Sequence, residues 1–548
     1  MTRRPALHGP PGRPAPREAP GGDERPRDRR DDGHPAGRVR RIAVGTASPL
    51  AAGLLVAASL PPSRAFELAP VGIALLAHST AHRTWRRRLV NGALAGVGQF
   101  ALACSWVLQF TAVGYVAIVA VEAAFVSAAC TLAPGGRGRV PGLAAALVLA
   151  EWARSSWPFG GMPIGGVALG EVSGPLLALA RIGGPLLVVG GTALAGTALA
   201  AGAAAALGAL SGHGARRDAI PAAICAIALL VLVAAAATVA TYAPDGGRAR
   251  GLIGVAAVQG GGRRGLSELE VPAATVLAAQ LAATSRLSPG PQLVVWPEDA
   301  VSLAGPLRGS PADSLLAGLA RHLRATLVAG VTEPAGALHF RNEAVAWGPS
   351  GRIAGSFEKV HPVPFGEYVP WRALLSRFVS FAAVPRDAVP GRGTGELATP
   401  AARLAIVISY ETFFPARGRA GVRAGGELLV VPTNTASYVG DAVPEEELAA
   451  SRLQAVAEGR DLVQAASTGY SAVVDRRGHV LARSALGLAS VVRGDVQLFG
   501  GSTLYDRAGD APTLAGAAGT LAICLLSGPV LRAVRRRARR RASRRAPC

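Results

Sequence analysis

Residues 357–370 read FEKVHPVPFGEYVP, and Lys359 within this stretch is the only lysine of the chain. Every other one of the 57 Lys+Arg positions is an arginine. Arginine carries a broad, planar guanidinium that is always charged, whereas lysine carries a compact ammonium on a thin stem. A lysine kept at this position therefore indicates a narrow polar site that needs a compact cation. The alternative is that one lysine survived by chance, with its ammonium in solvent at a strand end.

The sequence around this stretch alternates between β-type and helical segments. The β-type runs are LIGVAAVQ (252–259), PQLVVWPE (291–298), ATLVAGV (325–331), ARLAIVISY (402–410) and ELLVVPTN (427–434). Helical patterns separate several of them, at 276–287, 314–324 and 445–460. Two β-hairpins are indicated by glycine-containing turns within 343–359 and 471–484. Strands with interleaved helices predict a layered α/β domain.

The chain as a whole is too apolar for an ordinary soluble enzyme. Half of its 548 residues are apolar, and its mean hydropathy is positive. Long apolar runs occupy residues 42–60, 65–81, 89–110, 113–133, 140–157, 174–210, 218–243 and 512–531. We therefore expect about eight membrane spans, seven within 42–243 and a final one within 506–533. The α/β domain would occupy 244–505, between the seventh span and the last.

The formal net charge of +22 is concentrated at the two ends. Residues 1–41 are rich in Pro, Gly, Arg and Asp and lack an apolar period, which predicts a disordered tail. Residues 534–548 form an arginine block beside an apolar run, which is more typical of the cytoplasmic face of a membrane than of a nucleic-acid site. Because arginines also follow every second apolar run, we expect both tails in the cytoplasm and the α/β domain outside it.

Polar side chains follow three of the predicted strands where each strand ends. WPED supplies Glu298, the opening stretch supplies Lys359 and Glu367, and ISYE supplies Ser409, Tyr410 and Glu411. Such strand ends are where α/β enzymes gather reacting groups. A carboxylate base, a hydroxyl nucleophile and an ammonium that stabilises an oxyanion together suit acyl transfer. The five cysteines show no metal or redox spacing, and no metal or organic cofactor is indicated.

These motifs carry a resemblance to a known family. WPED, EKVHPVPFGEYVP and ISYE resemble the Glu–Lys–Cys signature of the nitrilase superfamily, whose fold is an αββα sandwich. A domain of this kind between the seventh and eighth apolar runs resembles the bacterial apolipoprotein N-acyltransferases. Segments 151–163, 255–260 and 457–478 agree with that family, so the resemblance extends over roughly 42–531.

The resemblance implies a role for each site residue. Glu298 matches the general base, Lys359 the lysine that stabilises the tetrahedral intermediate, and Glu367 a supporting carboxylate. Tyr410 and Glu411 match the two residues that follow the nucleophile. Ser409 stands where the family has its nucleophilic cysteine, and no cysteine lies in 244–510. The segment PTNTASYVG (432–440) also departs from the family's usual pattern.

The implied activity is an N-acyltransferase of the bacterial cell membrane. It would move an acyl chain from a phospholipid to the lipidated N-terminal cysteine of apolipoproteins, by a ping-pong acyl-enzyme, without nucleic acid. One alternative is an inactive or weak relative that binds lipoproteins or an acyltransferase, and another is a membrane-tethered amidase. Residue-level alternatives also stay open. In these alternatives, Glu298 is a loop carboxylate paired with an arginine, Glu367 only positions Lys359, and Tyr410 only packs beneath the site.

Overall fold

The computed structural model describes residues 35–136, 138–210, 213–262, 270–377, 380–381, 383–438 and 440–543. Its amino-terminal part is helical. The helices are α1 (Pro35–Ser59), α2 (Leu68–Thr80), α3 (Trp85–Ala103), α4 (Ala112–Leu132), α5 (Arg139–Arg154), α6 (Val167–Gly170), α7 (Ala180–Leu210) and α8 (His213–Ala240). The side chains of Thr84 and Thr111 cap α3 and α4 by accepting from backbone N–H groups of the first turn.

Within the described residues, three helical segments are long and apolar enough to cross a membrane. They are Ala112–Leu132, Pro175–Leu210 and Ala219–Ala240. Shorter apolar helices, Thr46–Ser59, Leu68–Thr80 and Ala511–Ser527, lie at three more of the apolar runs. The expectation of about eight spans therefore stays a prediction beyond these three segments.

The helical part contains a buried arginine that is paired with two glutamates. Arg154 is buried, and its Nε lies 2.6 Å from Glu122 Oε2 while its Nη1 lies 2.9 Å from Glu151 Oε1. Large apolar side chains face outward instead, for example Ile224, Val231 and Leu232 on α8. Apolar groups outside and paired charges inside are the distribution expected of helices surrounded by lipid.

The ends of the chain differ in detail from the sequence expectation. Residues 35–41, expected to belong to a disordered tail, form the first turns of α1. The last helix begins at Ala511 rather than near 506 and continues to Ser543, into the arginine block. The rest of the two predicted tails, 1–34 of 1–41 and 544–548 of 534–548, lies outside the described residues.

The rest of the chain alternates strands and helices. The strands are β1 (Ala249–Gln259), β2 (Leu293–Val295), β3 (Val301–Ser302), β4 (Thr326–Pro334), β5 (His339–Trp347), β6 (Ile353–Glu358), β7 (Asp387–Ala388), β8 (Glu396–Ala398), β9 (Arg403–Ile406), β10 (Leu428–Thr433), β11 (Leu462–Ala466), β12 (Ala472–Val474), β13 (Val480–Arg483) and β14 (Ser490–Phe499). The helices are α9 (Ala273–Thr284), α10 (Pro311–Leu323), α11 (Arg372–Leu375), α12 (Pro415–Arg423), α13 (Val443–Glu458), α14 (Leu504–Ala508) and α15 (Ala511–Ser543).

The strands form two sheets that pack face to face. One sheet has the order β14-β1-β2-β4-β5-β6, with β3 and β7 at its side, and the other has the order β13-β12-β11-β10-β9-β8. Val255, Leu293 and Val328 of the first sheet share one apolar core with Leu404 and Val430 of the second. The outer face of the first sheet packs on α9 and α10, and that of the second packs on α12 and α13. The α/β part is therefore an αββα sandwich, as expected.

Local sequence signals predict several of these elements correctly. Both hairpins form, because β5 pairs antiparallel with β6 and β12 pairs antiparallel with β13. The three helical patterns become α9, α10 and α13. At the start of α10, Ser310 accepts a hydrogen bond from the Asp313 N–H at 3.1 Å and Pro311 occupies the first helical position, a strong start signal.

The sandwich and the helical part are joined along one edge. The Tyr410 hydroxyl donates to the Gly161 carbonyl at 3.0 Å, and the Gly165 N–H donates to Glu446 Oε2 at 2.8 Å. Helix α13 also packs directly on α7. These contacts hold the edge that carries Ser409 against the helical part.

Candidate active site

The predicted site residues lie at the carboxyl ends of strands from both sheets. Glu298 follows β2 and Lys359 follows β6 in one sheet, whereas Ser409 follows β9 in the other. Strands β2 and β4 are parallel, and two antiparallel pairings bring β6 into the same direction as β4. The carboxyl ends therefore meet at one edge of the sandwich, which is the edge that faces the helical part.

Lys359 is held between two carboxylates. Its Nζ lies 2.8 Å from Glu298 Oε1 and 2.9 Å from Glu367 Oε2, and its side chain is 2% exposed. An ammonium has three N–H donors. Among the described residues two of them have carboxylate partners, which leaves the third for another acceptor. The structure thus brings together Glu298, Lys359 and Glu367.

Asn342, on β5, completes this cluster and is missed by the sequence reasoning. Its side-chain Nδ2 donates to Glu298 Oε1 and to Glu367 Oε1, each at 2.8 Å. Its backbone carbonyl accepts a hydrogen bond from the backbone N–H of Lys359 at 2.8 Å. The predicted β5–β6 hairpin contains the signal. Its register pairs Glu343 with Glu358, so the next positions place Asn342 opposite Lys359.

The electrostatics of the cluster follow from its burial. Burial raises the pKa of Glu298 to about 7, although the Lys359 ammonium lowers it in part. Burial lowers the pKa of Lys359, but Glu298 and Glu367 outweigh that effect and raise the pKa above its ordinary value. Lys359 therefore stays charged, and Glu298 is a carboxylate whose proton affinity suits acid–base exchange near neutral pH.

Ser409 lies in a sharp turn between strand and helix. It has a φ of +49°, in the left-handed region that non-glycine residues rarely adopt, and it opens the 3₁₀ helix Ser409–Phe413. A strained strand-to-helix turn that presents a nucleophile is a recurring feature of acyl-transfer enzymes.

Glu411 fastens this turn to the segment that follows Lys359. Its Oε1 accepts from the Val360 and His361 N–H groups at 2.8 and 3.1 Å, and its Oε2 accepts from the Ile408 N–H at 3.0 Å. Burial raises the pKa of Glu411, and these backbone donors lower it in part. The Glu411 side chain thus links the Ser409 turn to the backbone that follows Lys359.

The hydroxyl of Ser409 has its own hydrogen-bond partners. Thr433 Oγ1, at the end of β10, lies 3.2 Å from Ser409 Oγ, and the same Thr433 hydroxyl is hydrogen-bonded to Glu447 Oε1 on α13. Glu447 is 1% exposed. Among the described residues no hydrogen bond joins Ser409 to Glu298 or Lys359. Sequence reasoning missed both Thr433 and Glu447.

Tyr410 bridges the two parts of the protein rather than entering the polar cluster. Its ring packs against Phe413 and Phe414, and its hydroxyl reaches the Gly161 carbonyl. The packing interpretation therefore describes the observed contacts, and these contacts also anchor the Ser409 turn to the helical part.

Comparison with known proteins places both parts of the chain. Residues 52–198 match the family described as apolipoprotein N-acyltransferase N-terminal domain, and residues 254–500 match the carbon–nitrogen hydrolase family. A protein named apolipoprotein N-acyltransferase from Azotobacter vinelandii is 30% identical over 525 residues, which cover 89% of this chain and 95% of that protein.

Two further relatives match over shorter segments. The apolipoprotein N-acyltransferase of Geobacter metallireducens is 35% identical over 239 residues, 43% of this chain and 46% of that protein. The protein of the same name from Mycolicibacterium smegmatis is 32% identical over 336 residues, 58% of this chain and 56% of that protein. The matched segments thus span about half the length of these two relatives. From the full-length match and the two matched domains, the chain belongs to the apolipoprotein N-acyltransferase family, with a nitrilase-superfamily domain.

Proposed function

We propose that this protein is a membrane N-acyltransferase that uses a phospholipid as acyl donor and the lipidated N-terminal cysteine of apolipoproteins as acceptor. The observation that carries the proposal is the buried ammonium of Lys359 between Glu298 and Glu367, at the same sandwich edge as the Ser409 turn. A compact cation beside a hydroxyl and a carboxylate suits an acyl-transfer site.

The reaction has two transfers through one covalent intermediate. In the first, Ser409 Oγ attacks the ester carbonyl of the phospholipid, the carbon–oxygen bond to glycerol breaks, and the lysophospholipid leaves with a proton. In the second, the α-amino group of the acceptor attacks the acyl-enzyme, gives up a proton and regenerates the Ser409 hydroxyl. Lys359 donates to the oxyanion in both transfers, and Glu298 is the general base of the site.

The surroundings of the site favour a lipid donor over a small amide. The site edge is fastened to the helical part through Tyr410 and α13. Beside it, the Phe159 ring from the helical part meets Phe365 and Trp371 of the sandwich, with ring centroids 5.8 and 5.0 Å apart. Phe365 and Trp371 are 47% and 67% exposed. Exposed aromatic side chains suit the membrane interface, where a phospholipid presents its ester groups.

The distribution of arginines predicts the orientation of the protein in the membrane. We expect both arginine-rich ends in the cytoplasm and the sandwich outside it, because arginines follow every second apolar run. A reporter inserted within residues 260–280 is expected to be active only outside the cytoplasm, and one fused to the carboxyl terminus only inside. A cytoplasmic signal from the 260–280 fusion would contradict this orientation.

The proposed activity has a direct product. In a bacterium that lacks its own apolipoprotein N-acyltransferase, expression of this chain is expected to add one amide-linked acyl chain to lipoprotein N-termini, as measured by mass spectrometry. The Ser409→Ala protein, expressed at the same level, should leave the N-termini free. Free N-termini with the wild-type chain correctly inserted would instead favour a lipoprotein-binding relative without turnover.

A further inference from the structure

The nucleophile of this chain poses a proton-transfer problem. A cysteine thiol has a pKa of about 8.5, and a serine hydroxyl is far less acidic. Ser409 occupies the position of the cysteine that the family resemblance implies. Because its hydroxyl is a weak acid, it needs a proton acceptor within hydrogen-bond reach before it can attack an ester.

Glu298 is poorly connected to that hydroxyl. Its Oε1 accepts hydrogen bonds from Lys359 Nζ and Asn342 Nδ2, both at 2.8 Å. Oε1 of Glu298 is therefore already engaged by Lys359 and Asn342. Within the described part of the chain, Glu298 and Ser409 share no hydrogen bond.

Another carboxylate is connected to Ser409 through a single side chain. The Thr433 hydroxyl lies within hydrogen-bond distance of both Ser409 Oγ and Glu447 Oε1. A hydroxyl donates one proton and accepts through its lone pairs, so Thr433 donates to one neighbour and accepts from the other. When Glu447 is ionised it can only accept. Thr433 then donates to Glu447, and Ser409 donates to Thr433.

Glu447 is also an unusual buried group. It is 1% exposed, and among the described residues its second oxygen, Oε2, has no hydrogen-bond partner. A buried carboxylate that is only half satisfied costs stability, and such groups often mark a functional site.

We propose that Glu447, acting through Thr433, accepts the proton that leaves Ser409 when the acyl-enzyme forms. As the bond from Ser409 Oγ to the acyl carbon forms, the serine proton moves to Thr433 Oγ1 and the original threonine proton moves to Glu447. When the tetrahedral intermediate collapses, the same two residues return the proton to the departing glycerol alkoxide. In the second transfer, Glu298 acts as the general base that accepts the proton of the incoming amine. This inference rests on the proposed function.

The charges around Glu447 fit a base of this kind. Burial raises the pKa of Glu447 to about 8; the hydrogen bond from Thr433 lowers it in part, the charge of Glu298 raises it and that of Lys359 lowers it. The adjacent Glu446 accepts from Gly165 at another face of α13. Because only the ionised form accepts a proton, the rate of acyl-enzyme formation should rise with pH through about 8.

The test compares substitutions in two nucleophile backgrounds. The rate of acyl-enzyme formation is measured in a single turnover with a fluorescent phospholipid and no acceptor, and folding is followed by thermal unfolding in detergent. With serine as nucleophile, Glu447→Gln and Thr433→Val are each expected to slow this step by at least about a hundredfold, the typical contribution of a general base. In the Ser409→Cys background the same substitutions should lower the rate of acyl-enzyme formation by less than about tenfold, because a thiol is more acidic than a hydroxyl and depends less on a base.

Two further variants serve as controls. Glu445→Gln changes another glutamate of the same run, whose Oε1 accepts from the Tyr470 hydroxyl rather than from Thr433, and should leave the rate unchanged. Thr433→Ser keeps the hydroxyl and should exceed Thr433→Val by at least about tenfold. The rise of the rate with pH should disappear in Glu447→Gln.

The outcomes separate this inference from the proposed function. Equal losses in the serine and cysteine backgrounds, or an unchanged rate in Glu447→Gln, would overturn the role of Glu447 and leave acyl transfer at Ser409 intact. If Glu447→Gln does not fold, the comparison of Thr433→Val with Thr433→Ser decides. Activity in Ser409→Ala would overturn the proposed function itself.

Discussion

Lys359→Arg is expected to lose most acyl transfer although it keeps the charge. The loss should exceed about 2 kcal/mol of transition-state stabilisation, on the scale of removing an oxyanion donor. Lys359 is 2% exposed, and its Nζ contacts Glu298 at 2.8 Å and Glu367 at 2.9 Å. A guanidinium is wider and places its donors in a fixed plane, so it cannot satisfy both carboxylates and still direct a donor to the substrate oxygen.

The measurement is kcat/KM with a fluorescent phospholipid and a lipidated peptide. Arg341→Lys is the matched control, because Arg341 is 43% exposed and pairs with Glu333 and Glu358 at 3.4 Å, so its exchange should change little. Lys359→Ala should be inactive and also less stable, since it leaves two carboxylates without their cation, at a cost of about 3–5 kcal/mol. Near-full activity of a folded Lys359→Arg protein would mean that the reaction does not require a lysine here and that Lys359 is present by chance.

Ser409→Ala is expected to lower acyl transfer by several orders of magnitude, as removal of a nucleophile does. Thiol-alkylating reagents should leave the wild-type enzyme active, because no cysteine lies in 244–510. Ser409→Cys should be active and should become sensitive to the same reagents. Ser285→Ala, a change outside the site at the end of α9, provides the control for handling and folding. Full activity of Ser409→Ala would require a different catalytic centre.

The strand ends could be predicted from the sequence because their signals are local. Short β-type runs that stop in WPED, FEK and ISYE place Glu298, Lys359 and Ser409 at the edge of a layered α/β domain. The structure shows all three at that edge, and the two predicted hairpins form. Asn342 needed only the register of the first hairpin, carried one position further.

Glu447 could not be predicted, because it belongs to three consecutive glutamates at the start of a helix. Successive residues of an α-helix point about 100° apart. Glu445 accepts from the Tyr470 hydroxyl, Glu446 from the Gly165 N–H, and Glu447 from Thr433. Only tertiary packing decides which of the three reaches Ser409. The same holds for the contact between Tyr410 and Gly161, which are distant in sequence.

The number of membrane spans shows a different limit. Apolar runs predict where helices form, but among the described residues length and hydropathy distinguish only Ala112–Leu132, Pro175–Leu210 and Ala219–Ala240 as long enough by themselves. The apolar helices Thr46–Ser59, Leu68–Thr80 and Ala511–Ser527 are shorter. Whether a short helix spans a bilayer depends on its packing against its neighbours as well as on its length.

We expect the acyl chain to pass through Ser409, and detection of the acyl-enzyme is the decisive experiment. The protein is incubated with phospholipid and no acceptor, digested, and mapped by mass spectrometry. We expect one acyl chain on the peptide that contains Ser409, as an oxygen ester that resists hydroxylamine at neutral pH, and none in Ser409→Ala. An acyl chain on another residue, or full transfer without any acyl-enzyme, would rule out Ser409 as the residue that carries the acyl chain.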